Sequence, residues 1–226
     1  MTESHHQKHR HAQPLRILLA DDHAIVRQGL KQVLEQELFS VQFGEEETGH
    51  GLMQAVQNHA WDLAIVDINL PDKNGLDALK EIKILRPELS VLILTLYPEA
   101  QYATRALRAG AAGYLTKSTA PTEIASAVDR VLEGGRYISA SLAERLADEL
   151  TKGTAPNPTA LHELLSDREL EVLRWIARGK TVTETADQLA LSFKTISTYR
   201  ARLLDKLRLD TTADLIRYAL DHHLVE

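Results

Sequence analysis

The sequence predicts an α/β domain built on a five-stranded parallel sheet, followed by a small all-α domain. Three observations carry this prediction. Short apolar runs alternate with stretches of helical apolar spacing from Leu15 to about Gly135. A stretch with two prolines, a glycine and three threonines, TKGTAPNPTA, occupies 151–160. From Leu161 onward no strand-like run occurs. Continuous apolar strands separated by helices indicate a parallel sheet covered on both faces, with right-handed crossovers. Five β-α units in about 120 residues suit a doubly wound sheet, of which the flavodoxin-like order 2-1-3-4-5 is a common form.

The expected strands are LRILLA (15–20), VQFGE (41–45), DLAIVD (62–67), VLILTL (91–96) and GYLT (113–116). Between them Ile25, Leu30, Val33 and Leu34, and then Leu76, Leu79 and Ile82, recur at helical spacing. SASLAERLADELTKG reads as a further helix before the linker, and four more helices are expected at about 167–178, 182–189, 193–207 and 211–222. The resulting division is a disordered tail over 1–13, an α/β domain over 14–136, a linker with a helix over 137–160 and an all-α domain over 161–226. His5, His6, His9 and His11 fall in the polar tail and read as a solvated leader rather than a metal site.

Composition narrows the function classes. The 226 residues are 44% hydrophobic and 26% charged, an ordinary soluble balance. No apolar run approaches the roughly 20 residues that span a bilayer, and MTESHHQKHRHAQ has no apolar signal core. With no cysteine, disulfides and thiolate metal sites are excluded, and a cytoplasmic location is expected. A net charge of -6 by itself argues against nucleic-acid binding, but its distribution reverses that view. Within 192–208, Lys194, Arg200, Arg202, Lys206 and Arg208 face only Asp205, a local +4 that attracts phosphates.

In an open parallel sheet, ligands bind beyond the carboxyl ends of the strands. Those ends carry Asp21 and Asp22 after strand 1, Asp67 on strand 3, Thr95 on strand 4 and Lys117 after strand 5. Three carboxylates together raise one another's pKa unless a cation sits among them. Oxygen-only ligands favour a hard ion, and Mg2+ takes one or two carboxylates, water and a phosphoryl oxygen. A carboxylate there can act as a nucleophile and become an aspartyl phosphate. Stabilising the transferred group is mostly electrostatic work, shared by Mg2+, Lys117 and the Thr95 hydroxyl. The set describes phosphoryl acceptance at Asp67, with Pro71 and Gly75 turning the chain away to leave its carboxylate accessible.

At these residues the chain resembles a two-component receiver domain: DD at 21–22, D-x-x-L-P-x-x-N-G at 67–75, Thr95 and GYLTK at 113–117. The resemblance implies that Asp67 is the phospho-acceptor. It also implies that Asp21, Asp22, Asp67 and the carbonyl of Asn69 hold Mg2+, that Lys117 pairs with the phosphoryl group, and that Thr95 and Tyr114 move in step. Ser118 stands where many receivers have proline.

The C-terminal region begins with Ser166, a good N-cap, and Glu169 three positions on, as in a capping box. Leu170, Leu173, Ile176 and Ala177 make one apolar face, and Gly179 ends that helix. TVTETADQLA, a short turn and FKTISTYRARLLDKLRL then lay out a helix-turn-helix, whose second helix enters the major groove. On that helix Ile196, Leu203 and Leu207 are core, with Lys194, Ser197, Thr198, Ala201 and Asp205 opposite. The arrangement resembles a LuxR-type effector domain, and with the receiver it resembles a NarL/FixJ-type response regulator. By position Lys194, Thr195, Ser197, Thr198 and Arg202 are the DNA-contact candidates. Tyr199 stands in place of a frequent histidine, KTVTETA at 180–186 departs from the family's usual sequence, and TADLIRYAL carries the apolar face of a dimer contact.

The resemblance implies a transcription factor switched at Asp67 by a sensor histidine kinase, acting as a homodimer on double-stranded DNA and on the transcription machinery, with no membrane partner. The rival is an enzyme, a phosphatase that turns over an aspartyl phosphate. Such chemistry often uses a second carboxylate two residues after the nucleophile, where this chain has Asn69, so an enzyme is not expected.

Overall fold

The structure is a computed structural model that describes residues 14–151, 161–222 and 224–225. The tail over 1–13 with its histidines and residues 152–160 of the linker lie outside the described residues. Five parallel strands, β1 (Leu15–Ala20), β2 (Val41–Glu46), β3 (Leu63–Val66), β4 (Ser90–Thr95) and β5 (Gly113–Thr116), form one sheet in the order β2-β1-β3-β4-β5. The helices that follow them are α1 (Ala24–Glu37), α2 (Gly49–Asn58), α3 (Gly75–Leu85), α4 (Glu99–Arg108) and α5 (Ala120–Leu132).

Side-chain alternation divides the strands between two cores. Ile17, Leu19, Ile65, Leu92 and Leu94 pack with Leu30, Leu34, Ile124 and Val128 of α1 and α5. Leu18, Ala20, Ala64, Val66, Val91 and Ile93 pack with Leu52, Leu79, Ile82 and Ala103 of α2, α3 and α4. Every residue of β3 is buried, as a central strand covered on both faces requires. β3 ends at Val66, one residue short of the expected run, so Asp67 stands just past the ladder. β4 likewise ends at Thr95, and Leu96 is left exposed.

α6 (Ala140–Thr151) and a short 3-10 turn (Leu161–Leu164) precede α7 (Asp167–Ala177), α8 (Val182–Gln188), α9 (Phe193–Leu207) and α10 (Thr212–Asp221). Leu170, Leu173, Ile176, Ile196, Leu203, Leu207, Leu215 and Ala219 form a separate core among the last four helices. Gly179, with φ of 82°, supplies the left-handed stop after α7. The sharp turn before α9 carries no glycine; Ala190 takes the left-handed conformation there, with φ of 50°. Leu215 and Ala219 of α10 pack in this core, while Ile216 and Tyr218 are only half-buried. Leu220 remains exposed.

The capping box of α7 forms as its sequence indicates. Glu169 accepts from the Ser166 amide at 2.8 Å, Ser166 accepts from the Glu169 amide, and Lys206 of α9 reaches the same carboxylate at 2.7 Å. Burial opposes the Glu169 charge, but Lys206 and the Ser166 amide outweigh it and hold its pKa below the usual glutamate value. A depressed folded-state pKa contributes stability above the unfolded value near 4.5, lost as pH falls through the folded value. Glu169→Gln is therefore expected to cost about 1 kcal/mol at pH 7 and to flatten the acid limb of the melting profile. Melts of both proteins from pH 3 to 7 check this, and parallel acid limbs would contradict it.

Candidate functional site

Backbone hydrogen bonds bring the strand ends into register. The Asp67 amide donates to the Ala20 carbonyl at 2.8 Å, which sets Asp67 beside Asp21, and the Lys117 amide donates to the Thr95 carbonyl at 2.8 Å. Arg27 of α1, buried between Glu45 (2.9 Å) and Glu47 (2.6 Å), donates to the Asp21 carbonyl at 2.6 Å and fastens the loop after β1.

The side chains converge as expected for four of the predicted residues. Lys117 Nζ lies 2.6 Å from Asp67 Oδ2 and 2.8 Å from Asp21 Oδ2. The other Asp67 oxygen accepts from the Asn69 amide at 3.2 Å. Asp22 completes an acidic cluster with Asp21 and Asp67. Burial works against the Lys117 ammonium, yet Asp67 and Asp21 together outweigh it and hold its pKa above the usual lysine value. Two buried carboxylates share one ammonium, so the pocket keeps unneutralised negative charge. Asp21 Oδ2 is buried and makes an ion pair with Lys117 but no well-aligned hydrogen bond. Charge and donor set together suit a hard divalent cation.

Two findings correct the sequence reading, and one adds to it. Asp67 is not accessible: it is 3% exposed, because Lys117 covers it and the loop after β3 closes through the Gly75 amide on the Ile68 carbonyl (2.8 Å). Gly75 does not turn the chain away; it is the first residue of α3, whose N-cap Asn74 accepts from the Leu76 amide. The sequence reading did not name His23, whose Nδ1 lies 2.6 Å from Asp22 and 3.2 Å from Asp21 at the acidic cluster. Its position directly after DD in the sequence was the available signal.

Thr95 and Tyr114 do not touch the carboxylates. The Thr95 hydroxyl accepts from the Tyr97 amide at 3.5 Å, and the fully buried Tyr114 donates to the Tyr97 carbonyl at 2.8 Å. Burial raises the Tyr114 pKa, so its hydroxyl stays a proton donor.

On α9, Ile196, Leu203 and Leu207 are buried, while Lys194, Thr198 and Arg202 are exposed and Thr195 and Ser197 half-exposed. Lys194, Thr195, Thr198, Tyr199 and Arg202 line one shallow groove. Of the five basic residues Lys206 pairs with Glu169, so the free charge of this patch is smaller than the sequence count, while Arg200 keeps its charge and donates to the Thr212 hydroxyl. Tyr199 packs against the helical core and also lines a cleft facing Asp72, Lys73, Asp77, Lys80 and Glu81 of the sheet domain, a stretch of mixed charge.

A recessed aspartate-lysine pocket at the carboxyl edge of a 2-1-3-4-5 sheet, joined to a helix-turn-helix, defines a response regulator. Comparison with known proteins agrees. The response regulator receiver domain matches residues 17–129, and the family of bacterial regulatory proteins of the luxR type matches 163–219. Response regulator UvrY of Escherichia coli is 33% identical over 211 residues, covering 93% of this chain and 95% of that protein. The oxygen regulatory protein NreC of Staphylococcus carnosus is 32% identical over 216 residues, covering 94% and 100%. A structure of Salmonella typhimurium RcsB has a TM-score of 0.63 at 29% identity, covering 92% of this chain and 98% of that one. Another structure shows two RcsB dimers bound to DNA, with a TM-score of 0.57, 29% identity and coverage of 92% and 98%. The chain belongs to the NarL/FixJ-type response regulators, with a receiver domain and a LuxR-type DNA-binding domain. Among the described residues, no helix is long and apolar enough to cross a membrane.

Proposed function

We propose that a sensor histidine kinase phosphorylates Asp67 and that this controls sequence-specific DNA binding and transcription. The observation that carries the proposal is the Asp67 carboxylate held between Asp21 and Lys117 at the sheet edge, in one chain with the exposed helix α9. In the transfer, an Asp67 oxygen bonds to phosphorus as the phosphorus-nitrogen bond of the kinase phosphohistidine breaks. Lys117 stays charged and neutralises the new phosphoryl oxygens. Mg2+ held by Asp21, Asp22, Asp67 and the Asn69 carbonyl would neutralise the remainder. Thr95 and Tyr114 respond to the change.

The chain works in this reading as two units, 14–136 and 161–226, joined by 137–160. It acts as a cytoplasmic homodimer on two DNA half-sites, as the dimers of RcsB on DNA suggest. Lys194 and Arg202 hold phosphates, while Thr195, Ser197 and Thr198 reach base edges. The test is a genomic map of DNA occupancy, with transcript levels, for wild type and Asp67→Ala under the inducing condition. Occupancy and transcripts are expected to diverge at target promoters; identical maps and transcripts sink the proposal.

A further inference from the structure

We infer that Tyr97 carries the state of the acceptor pocket into the DNA-binding domain, through a hydrogen bond to Glu171 that holds α7 against the receiver. The inference rests on the phosphoryl-acceptor reading above. Tyr97 lies two residues past Thr95, and three contacts fix it. Its amide donates to the Thr95 hydroxyl at 3.5 Å, its carbonyl accepts from Tyr114 at 2.8 Å, and its ring packs on Tyr102 at 4.8 Å. From that base its own hydroxyl donates to Glu171 Oε1 at 2.7 Å, across the domain boundary. Tyr114, wholly buried and bonded to the Tyr97 backbone, steadies this tyrosine.

Glu171 is 1% exposed and collects a second strand-end loop. Its Oε2 accepts from Asn74 Nδ2 at 3.3 Å and from Arg168 at 2.7 Å. Asn74 closes the loop that begins at Asp67. Both loops that sense the acceptor therefore end on one buried carboxylate of α7. The surrounding contacts are also polar: Asp167 meets Lys80 at 2.6 Å and Arg105 at 3.2 Å. Buried charge pairs add specificity more readily than net stability, so such a face separates at modest cost.

The same network reaches the recognition helix. Arg168 donates to the Leu189 carbonyl in the turn before α9, and Glu169 pairs with Lys206 on α9. With α7 held, the receiver segment from Asp72 to Glu81 stays across the cleft from Tyr199 of α9, where its bulk stands in the way of a DNA duplex. A Thr95 hydroxyl turned toward a phosphoryl oxygen no longer accepts from the Tyr97 amide. The 95–97 segment then shifts, and the Tyr97 hydroxyl leaves Glu171.

Hydrogen exchange of the full chain, read over residues 167–177, tests this. In wild type, Mg2+ with beryllofluoride, a phosphoryl mimic, is expected to lower α7 protection about tenfold, the scale of one hydrogen bond to a charged group. Tyr97→Phe keeps the ring on Tyr102 and is expected to show the same loss without the mimic, with little further change when it is added. Glu171→Leu removes the acceptor from the other side and should match it. Tyr137→Phe, which loses a hydroxyl bonded to Glu123 within the receiver, should keep wild-type protection. Wild-type protection in Tyr97→Phe, with the mimic still lowering it, overturns the role of Tyr97 and leaves the acceptor reading standing. A mimic that loads Asp67 yet leaves wild-type α7 unchanged overturns the inference. Failure of acetyl phosphate to add mass to wild type overturns the acceptor reading and this inference with it.

Discussion

Asp67→Ala is expected to abolish phosphoryl uptake from acetyl phosphate and Mg2+, where wild type gains the mass of one phosphoryl group. The pocket holds three carboxylates, but their partners differ. Asp21 Oδ1 accepts from the His23 amide at 2.9 Å and its other oxygen faces Lys117, while its carbonyl is tied to Arg27. Asp22 is partly exposed and bound to His23 at 2.6 Å. Asp67 makes the shorter contact with the nearly buried Lys117 ammonium, 2.6 Å against 2.8 Å for Asp21, and the backbone on either side of it is anchored to the sheet. Stabilising the transferred group is electrostatic work, and here the fixed positive charge sits on Asp67. Intact mass and peptide mapping read the result, with uptake expected to fall by more than about 100-fold, the scale of losing the nucleophile. Mass gain retained in Asp67→Ala would place the acceptor elsewhere. A phosphatase would instead turn over donor rapidly without accumulating the mass, which distinguishes the rival chemistry in the same tube.

The parts legible in sequence are those set by local pattern. LRILLA and VLILTL announce buried strands because a strand covered on both faces reads as a near-continuous apolar run. Ser166 and Glu169 announce a helix start because the capping box joins residues three positions apart and needs nothing distant. Asp21, Asp67 and Lys117 were legible for another reason, since the fold places all carboxyl ends of parallel strands on one edge.

What stayed hidden depends on residues far apart in the chain. Glu171 reads as one more polar position on an amphipathic helix, and only the receiver packed against α7 buries it under Tyr97 and Asn74. Arg168, Arg174 and Asp167 share that fate, so α7 is buried on its polar face as well as its apolar one. The positive patch of α9 was overstated because Lys206 pairs with Glu169 on α7, a partner that sequence distance conceals. Gly75 read as a turn residue, a sound inference from composition, yet its role is to allow close approach of two backbones.

That close approach makes Gly75→Ala the most damaging single methyl in the receiver. A Cβ at Gly75 meets the Asp67 carbonyl oxygen at 2.1 Å, the Ile68 Cα at 2.8 Å and the Asp67 carbonyl carbon at 2.9 Å. All three are backbone atoms of the segment that carries the acceptor, so no side-chain rotation relieves the clash. Helix propensity favours alanine by up to about 1 kcal/mol, and overpacking of this kind costs about 3 kcal/mol. The net effect is a fall in melting temperature of roughly 4–8 °C. Because relief must displace Asp67, phosphoryl uptake should also fall, and the shift of Asn74 should loosen its bond to Glu171. Gly29→Ala is the matched comparison: it lies mid-helix on the exposed side of α1 with nothing within 4 Å of its Cβ. There the same methyl should stabilise by about 0.5–1 kcal/mol by removing backbone freedom from the unfolded chain. Opposite signs from one substitution in one domain separate backbone crowding at the acceptor from the general cost of altering a glycine; a melt of Gly75→Ala at or above wild type would show that the loop after β3 yields.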